Sequence, residues 1–304
     1  MAGAALDAGA GKAQEIAIPP PFAKVSSSVT DTLIETLPLL LFLMVVGAGA
    51  GVLAGLLGVG GGIVLVPAFY HLFSGMGYEP PQLMQICVAT SLATIMFTSL
   101  RSMAGHRKKG AVDDRVLKSW GPGIVIGAFV GMFAASSLKS DALMAIFGVM
   151  GCGVGMWMAL GKAHWRLGSE MPKGVARAIL SPLLGFFSVL MGIGGGSLGT
   201  PIMTLYNMPI HRAVGTAAGF GLLIAAPAVL GFLANGWSIE GKPPYTVGLV
   251  NIPAFLVIIA MTFITAPLGV RLAHSLDAKI LRRTFALFIS VIALRMLAKA
   301  LGLI

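Results

Sequence analysis

Charge is the scarcest commodity in this sequence. Only 11% of its 304 residues are Asp, Glu, Lys or Arg, against 57% that are hydrophobic, whereas a soluble domain carries roughly 25% charge. A chain this poor in charge cannot cover its own surface in water, and a mean hydropathy of +0.91 assigns it to a bilayer. None of the 11 acids falls in the middle of an apolar segment. Cation and proton antiporters keep an intramembrane carboxylate as a relay, so its absence argues against a cation as cargo and for an anion. Cysteine is limited to Cys87 and Cys152, each within an apolar segment, which argues against a disulfide framework and a metal site. No Ser/His/Asp set, H-E-x-x-H pair or paired carboxylate lies at membrane depth, and no GK[ST] follows a glycine run. An enzyme is therefore not expected, nor a cofactor or metal, and nucleotide binding is disfavoured.

What the chain does have is apolar length. Segments run near 33–57, 62–76, 83–100, 119–137, 142–160, 178–192, 197–208, 213–234, 248–270 and 280–303. They are apolar all round, whereas strands of a membrane barrel alternate, so the fold class is an all-α polytopic transmembrane helical bundle. A span needs about 20 residues, and 62–76 and 197–208 fall short; these are read as half-helices or short tilted spans. The formal charge of +10 comes from Lys and Arg gathered in short loops, chiefly 101–118, 162–177 and 271–283. That placement marks topology and lipid headgroup contact rather than nucleic acid. If every segment crosses, the bias favours ten crossings with both ends outside.

Glycine, 41 of 304, is about twice its ~7% average. Small-residue stripes such as Gly47, Gly51, Gly55 and Gly151, Gly155 suit close helix packing. Two other runs are different. GVGGGIVLVP (Gly58 to Pro67) recurs as GIGGGSLGTP (Gly192 to Pro201), and VATSLAT (Val88 to Thr94) answers VGTAAGF (Val214 to Phe220), with Thr90 opposite Thr216 and Pro122 answering Pro253. Five segments per half turn the second copy upside down, giving two inverted repeats. The expected organisation is a flexible tail over 1–32, a first repeat over 33–161, a basic cytoplasmic linker over 162–177 and a second repeat over 178–304.

Each glycine costs a helix interior up to about 1 kcal/mol relative to alanine, and unpaired backbone persists in a membrane only where protein or a water-filled cavity satisfies it. A break there leaves N–H groups free at the start of the following half-helix, where the dipole is positive and no side chain blocks approach. Two such turns from inverted halves would converge on one anion near the midplane. The substrate-binding candidates are Gly60, Gly61, Gly62 and Pro67 from the first turn, and Gly194, Gly195, Gly196, Ser197 and Pro201 from the second. Thr90, Ser91 and Thr216 join them as hydroxyl donors. Arg101, His106 and Arg271, near the bundle ends, are candidates for steering an anion or coupling protons.

At GLLGVGGGIVLVPAF (Gly55 to Phe69), ATSL (Ala89 to Leu92), HRKKGAVD (His106 to Asp113), LMGIGGGSLGTPIM (Leu190 to Met203) and AVGTAAG (Ala213 to Gly219), the chain resembles the sulfite exporter family TauE/SafE. The likeness covers roughly residues 35 to 300. It implies a multi-pass permease of the bacterial inner (plasma) membrane moving sulfite, thiosulfate, organosulfonates or related small anions, often outward. Its partners would be the small anionic substrate, the lipid bilayer and, as one open assembly, further copies of itself. The alternatives are an anion-selective pore, a permease for other small organic anions such as carboxylates, and a membrane subunit that only binds a partner through its basic loops.

Overall fold

The structure, a computed structural model, describes residues 29–57, 61–160, 166–272 and 278–303. The tail expected over 1–32 lies outside them as far as residue 28, as do Gly60 and residues 161–165 of the linker. Leu39–Ile304 forms one compact unit; Met1–Pro38 is a second, described only from Val29 onward as the opening of a helix.

Ten helices are described: α1 (Val29–Leu57), α2 (Gly62–Gly75), α3 (Leu83–Lys108), α4 (Asp114–Ser137), α5 (Ser140–Leu160), α6 (Gly174–Leu190), α7 (Gly196–Leu205), α8 (Ile210–Ala234), α9 (Ile252–Leu272) and α10 (Ala278–Ala300). They match the ten apolar segments, and the chain is an all-α membrane bundle. Among the described residues α1, α3, α4, α5, α8 and α9 are long and apolar enough to cross a bilayer. At 1.5 Å per residue, α2 and α7 reach only about 21 and 15 Å, short of a hydrocarbon core of about 30 Å.

Both short helices are bounded in the same way. Each opens on a glycine, carries its proline at the sixth position (Pro67, Pro201) and closes on a left-handed residue, Gly77 (φ 82°) or Asn207 (φ 66°). The next amide then turns back, Tyr78 N–H to the Phe73 carbonyl at 3.0 Å and Met208 N–H to the Met203 carbonyl at 3.0 Å. This closure satisfies carbonyls that a helix end would leave open. The prolines, lacking an N–H, leave the carbonyls of Ile63 and Ser197 without their usual intrahelical donor.

Two local departures from the sequence reading stand out. Helix α4 opens at Asp114, ahead of the apolar segment expected from 119, because Asp113 caps it: its carboxylate Oδ1 accepts from the N–H groups of Arg115 and Val116, both at 3.1 Å. The first turn is too polar for a hydropathy scan to include. A two-stranded hairpin, β1 (Thr246–Val247) and β2 (Val250–Asn251), precedes α9. It is turned by Gly248 (φ 55°) and held on the end of α8 by Leu249 N–H to the Phe232 carbonyl, 3.0 Å.

The halves are interleaved. α1 lies along α9, where a methyl added at Gly51 or Gly55 would strike Thr265 or the Ala266 carbonyl, and one at Gly269 the Val52 carbonyl. α4 lies along α6 in the same fashion: Gly127 faces the Pro182 carbonyl and Gly185 the Ile124 carbonyl. α5 runs against α10 through Gly148, Gly151 and Gly155, while α3 and α8 form the centre. The glycine stripes thus serve close packing, the chief source of helix association in lipid.

Candidate functional site

The candidate site is the pair of glycine turns. At the second, α6 ends at Leu190 and α7 begins at Gly196; at the first, α2 begins at Gly62 directly after a left-handed Gly61. Gly61 caps α2 in the left-handed conformation (φ 78°) with the Ala50 carbonyl oxygen 2.9 Å from where a Cβ would sit. A Cβ at Gly62 would lie 2.5 Å from the Gly192 carbonyl oxygen and 3.0 Å from the Ile193 Cα. Gly192 is itself left-handed (φ 61°), with the Val66 side chain 2.7 Å and the Val88 Cα 3.0 Å from its Cβ position. The first turn and the second are therefore in direct contact. Gly195, right-handed (φ −60°), packs instead on α8 beside Phe220 and the Ala217 carbonyl. Gly194, Gly196 and Ser197 are buried with it, and Pro201 is half-buried.

The hydroxyl candidates sit at the seams between halves. Ser91 on α3 donates to the Gly192 carbonyl at 2.8 Å, tying the first half to the second turn. Thr90 donates to the Ile86 carbonyl (2.7 Å) and accepts from the Asn251 N–H (3.0 Å). Thr216 on α8 accepts from the Asp113 N–H (2.8 Å). Asn251 and Asp113 occupy matching places, each just before the fourth helix of its half. Asn251 Oδ1 accepts from the Ala254 N–H at 3.1 Å, so both are N-caps of the favoured kind. Each motif threonine thus holds the cap of the opposite half. Sequence reasoning missed both caps, although an Asn or Asp just before a helix is a start signal.

His106 is buried on α3, with Nε2 3.3 Å from the Gly55 carbonyl oxygen. Arg101 and Arg271 are exposed, and the Arg101 guanidinium lies 5.9 Å from the Phe263 ring centre. Nearer the second motif is an open depression of about 460 Å³ lined by Val112, Asp113, Asp114, Arg115 and Arg212. Arg212 pairs with Asp113 at 2.8 Å, and Arg107 with Asp114. Its wall reaches inward through Asp113 to Thr216. In the loop before α6, the Lys173 ammonium holds the Glu170 carboxyl below its ordinary range by hydrogen bonding and charge. Among the described residues no three His, Cys, Asp or Glu side chains converge as metal ligands.

Further buried hydroxyls were not singled out from the sequence as a site. The Ser99, Ser188 and Thr200 oxygens, like that of Ser197, are buried without a hydrogen-bond partner. Three of the four flank the second turn, Ser188 on the last turn of α6 and the others on α7.

Broken half-helices meeting inside a polytopic bundle define the architecture of a membrane transporter, and the comparisons agree. A Haemophilus influenzae protein described as a probable membrane transporter is 31% identical over 86% of this chain and 98% of its own length. A probable membrane transporter of Methanocaldococcus jannaschii is 27% identical over 86% of this chain and 97% of its own. The Bacillus subtilis protein YunE, also described as a probable membrane transporter, is 31% identical over 58% of this chain and 71% of its own. The family profile described as sulfite exporter TauE/SafE matches residues 43–296, and the chain belongs to that family. No solved structure matches it.

Proposed function

We propose that this multi-pass protein is a secondary carrier of the inner membrane that moves small sulfur-containing anions, such as sulfite, thiosulfate or organosulfonates, outward by alternating access. The anion is held where the first turn (Gly60 to Gly62, Pro67) approaches the second (Gly194 to Ser197, Pro201), with Thr90, Ser91 and Thr216 fixing the surrounding helices. The observation that carries this reading is the contact of Gly62 with Gly192 and Ile193, two helix breaks from opposite halves meeting in the interior. Irregular backbone at that depth is retained where it serves a ligand or a water-lined path. The halves act as inverted repeats, 33–161 and 178–304, and their reciprocal packing and reciprocal caps support that relation. Because α1 pairs with α9, α4 with α6 and α5 with α10, the bodies that rock each draw helices from both halves. Arg101 and Arg271 steer anions toward the mouth from their exposed positions.

The test is transport by the purified protein in liposomes. Labelled sulfite should move without any other subunit, and unlabelled sulfite on the far side should accelerate it; movement without that acceleration would indicate a pore. Gly61→Leu, forced into a left-handed backbone, and Gly195→Leu, driven into Phe220, should each abolish transport while the protein still inserts. Full activity in both variants would reject the site.

A further inference from the structure

We propose that the second turn alone grips the ligand, through Ser188, Ser197, Thr200 and the first amides of α7, and that this grip selects a singly charged oxyanion bearing a proton or an organic group, such as hydrogensulfite or an organosulfonate, over a dianion. The inference rests on the transport reading above and narrows its cargo.

The hydroxyls come first. Ser188 is fully buried and Ser197 is 3% exposed, yet neither hydroxyl has a partner, and the Thr200 Oγ1 is in the same condition. Buried hydroxyls in lipid-embedded helices ordinarily bond a carbonyl one turn back, as Thr94 does to the Thr90 carbonyl and Thr204 to the Thr200 carbonyl. Leaving several unpaired at one place is costly unless something else completes them. Two of them share one helix face: Ser197 and Thr200 lie three residues apart on the opening turns of α7, while Ser188 lies on the last turn of α6, just before the second turn.

The backbone adds donors there. Gly195 caps α7 without a side-chain hydrogen bond, and its carbonyl is taken by the Gly199 N–H at 2.7 Å. The amides of Gly196, Ser197 and Leu198 precede that first intrahelical bond and sit at the positive end of the helix.

The first turn lacks this equipment. Ile63 and Val66 hold the places of Ser197 and Thr200, and both are buried. Gly61 is left-handed where Gly195 is right-handed. The first turn contributes shape and apolar surface, Val66 against Gly192 above all.

Charge then decides the ligand. Among the described residues no Lys or Arg side chain is buried, and the donors that this turn offers an anion are neutral. The cost of taking an ion out of water grows with the square of its charge, so a dianion met only by hydroxyls and amides is far more costly to bury than a monoanion. Hydroxyls also accept hydrogen bonds, which fits a ligand that keeps an O–H. The apolar wall from the first turn suits an organic substituent.

Binding of methanesulfonate, sulfate and thiosulfate to the purified full chain, followed by calorimetry and thermal shift at one pH, tests this. Methanesulfonate should bind saturably, and the two dianions at least tenfold more weakly. Ser188→Ala, Ser197→Ala and Thr200→Val should each weaken methanesulfonate about tenfold without lowering the melting temperature, since each removes an unpaired group. Thr94→Val, which loses only a bond within α3, should bind like the unaltered protein. Equal affinity for sulfate and methanesulfonate, or three hydroxyl variants that bind normally, would overturn the proposal. If one variant fails to fold, the ratio of anion affinities in the unaltered protein still decides. Failure of liposomes carrying the unaltered protein to move either sulfite or methanesulfonate would instead sink the transport reading.

Discussion

Gly49 and Gly62 are both helical glycines, yet alanine should affect them in opposite ways. At Gly49 an added methyl meets nothing within 4 Å, so Gly49→Ala should leave stability unchanged or raise it by up to about 1 kcal/mol through helix propensity. At Gly62 the same methyl would press on the Gly192 carbonyl oxygen at 2.5 Å and on the Ile193 backbone. That carbonyl already accepts from Ser91. Gly62→Ala should therefore cost about 1–3 kcal/mol through overpacking. Melting of both variants in detergent checks the contrast, and equal behaviour would mean the turns are not in contact. Part of this was legible in the sequence, because the glycine runs repeat with the proline in register. Which glycine touches which was not, since Gly62 and Gly192 lie far apart along the chain and meet only in the folded bundle. Ser188 escaped notice for a related reason: a serine on an apolar helix looks like any other until its missing partner is seen.

At the scale of the helices, the telling feature is the exchange of caps. Thr90 and Thr216 each accept the N–H of the residue that opens a helix of the other half. Removing either hydroxyl strands a backbone donor, at a cost of about 1–3 kcal/mol where it is buried. Thr90→Val and Thr216→Val should each lower stability by that amount, with serine at the same positions restoring most of it. Lying in separate contacts, the two losses should add to within about 0.5 kcal/mol. Denaturation in mild detergent would show it, and a neutral Thr90→Val would remove the cap from the account of how α9 begins. The ten helices were legible because apolar length is a strong signal, and the two short ones because glycine and proline punctuate them. The start of α4 was hidden by its polar first turn. The hairpin before α9 has two residues per strand, too few to show a period.

Over the whole molecule, the helices pair across the halves more than within them. α1 with α9, α4 with α6 and α5 with α10 bury their small-residue stripes against partners far along the chain. Cutting the polypeptide between α5 and α6 should thus yield two fragments that are each degraded when made alone, yet reassemble into an active transporter when co-expressed. Accumulation of a stable lone first fragment, judged by protease resistance, would contradict this. The same exchange bears on biogenesis. As the ribosome delivers the chain, α1, α4 and α5 reach the lipid well before the helices that will cover their glycine faces, and they must linger there incomplete. The insertion machinery has to shelter a bundle whose first members are finished only by its last.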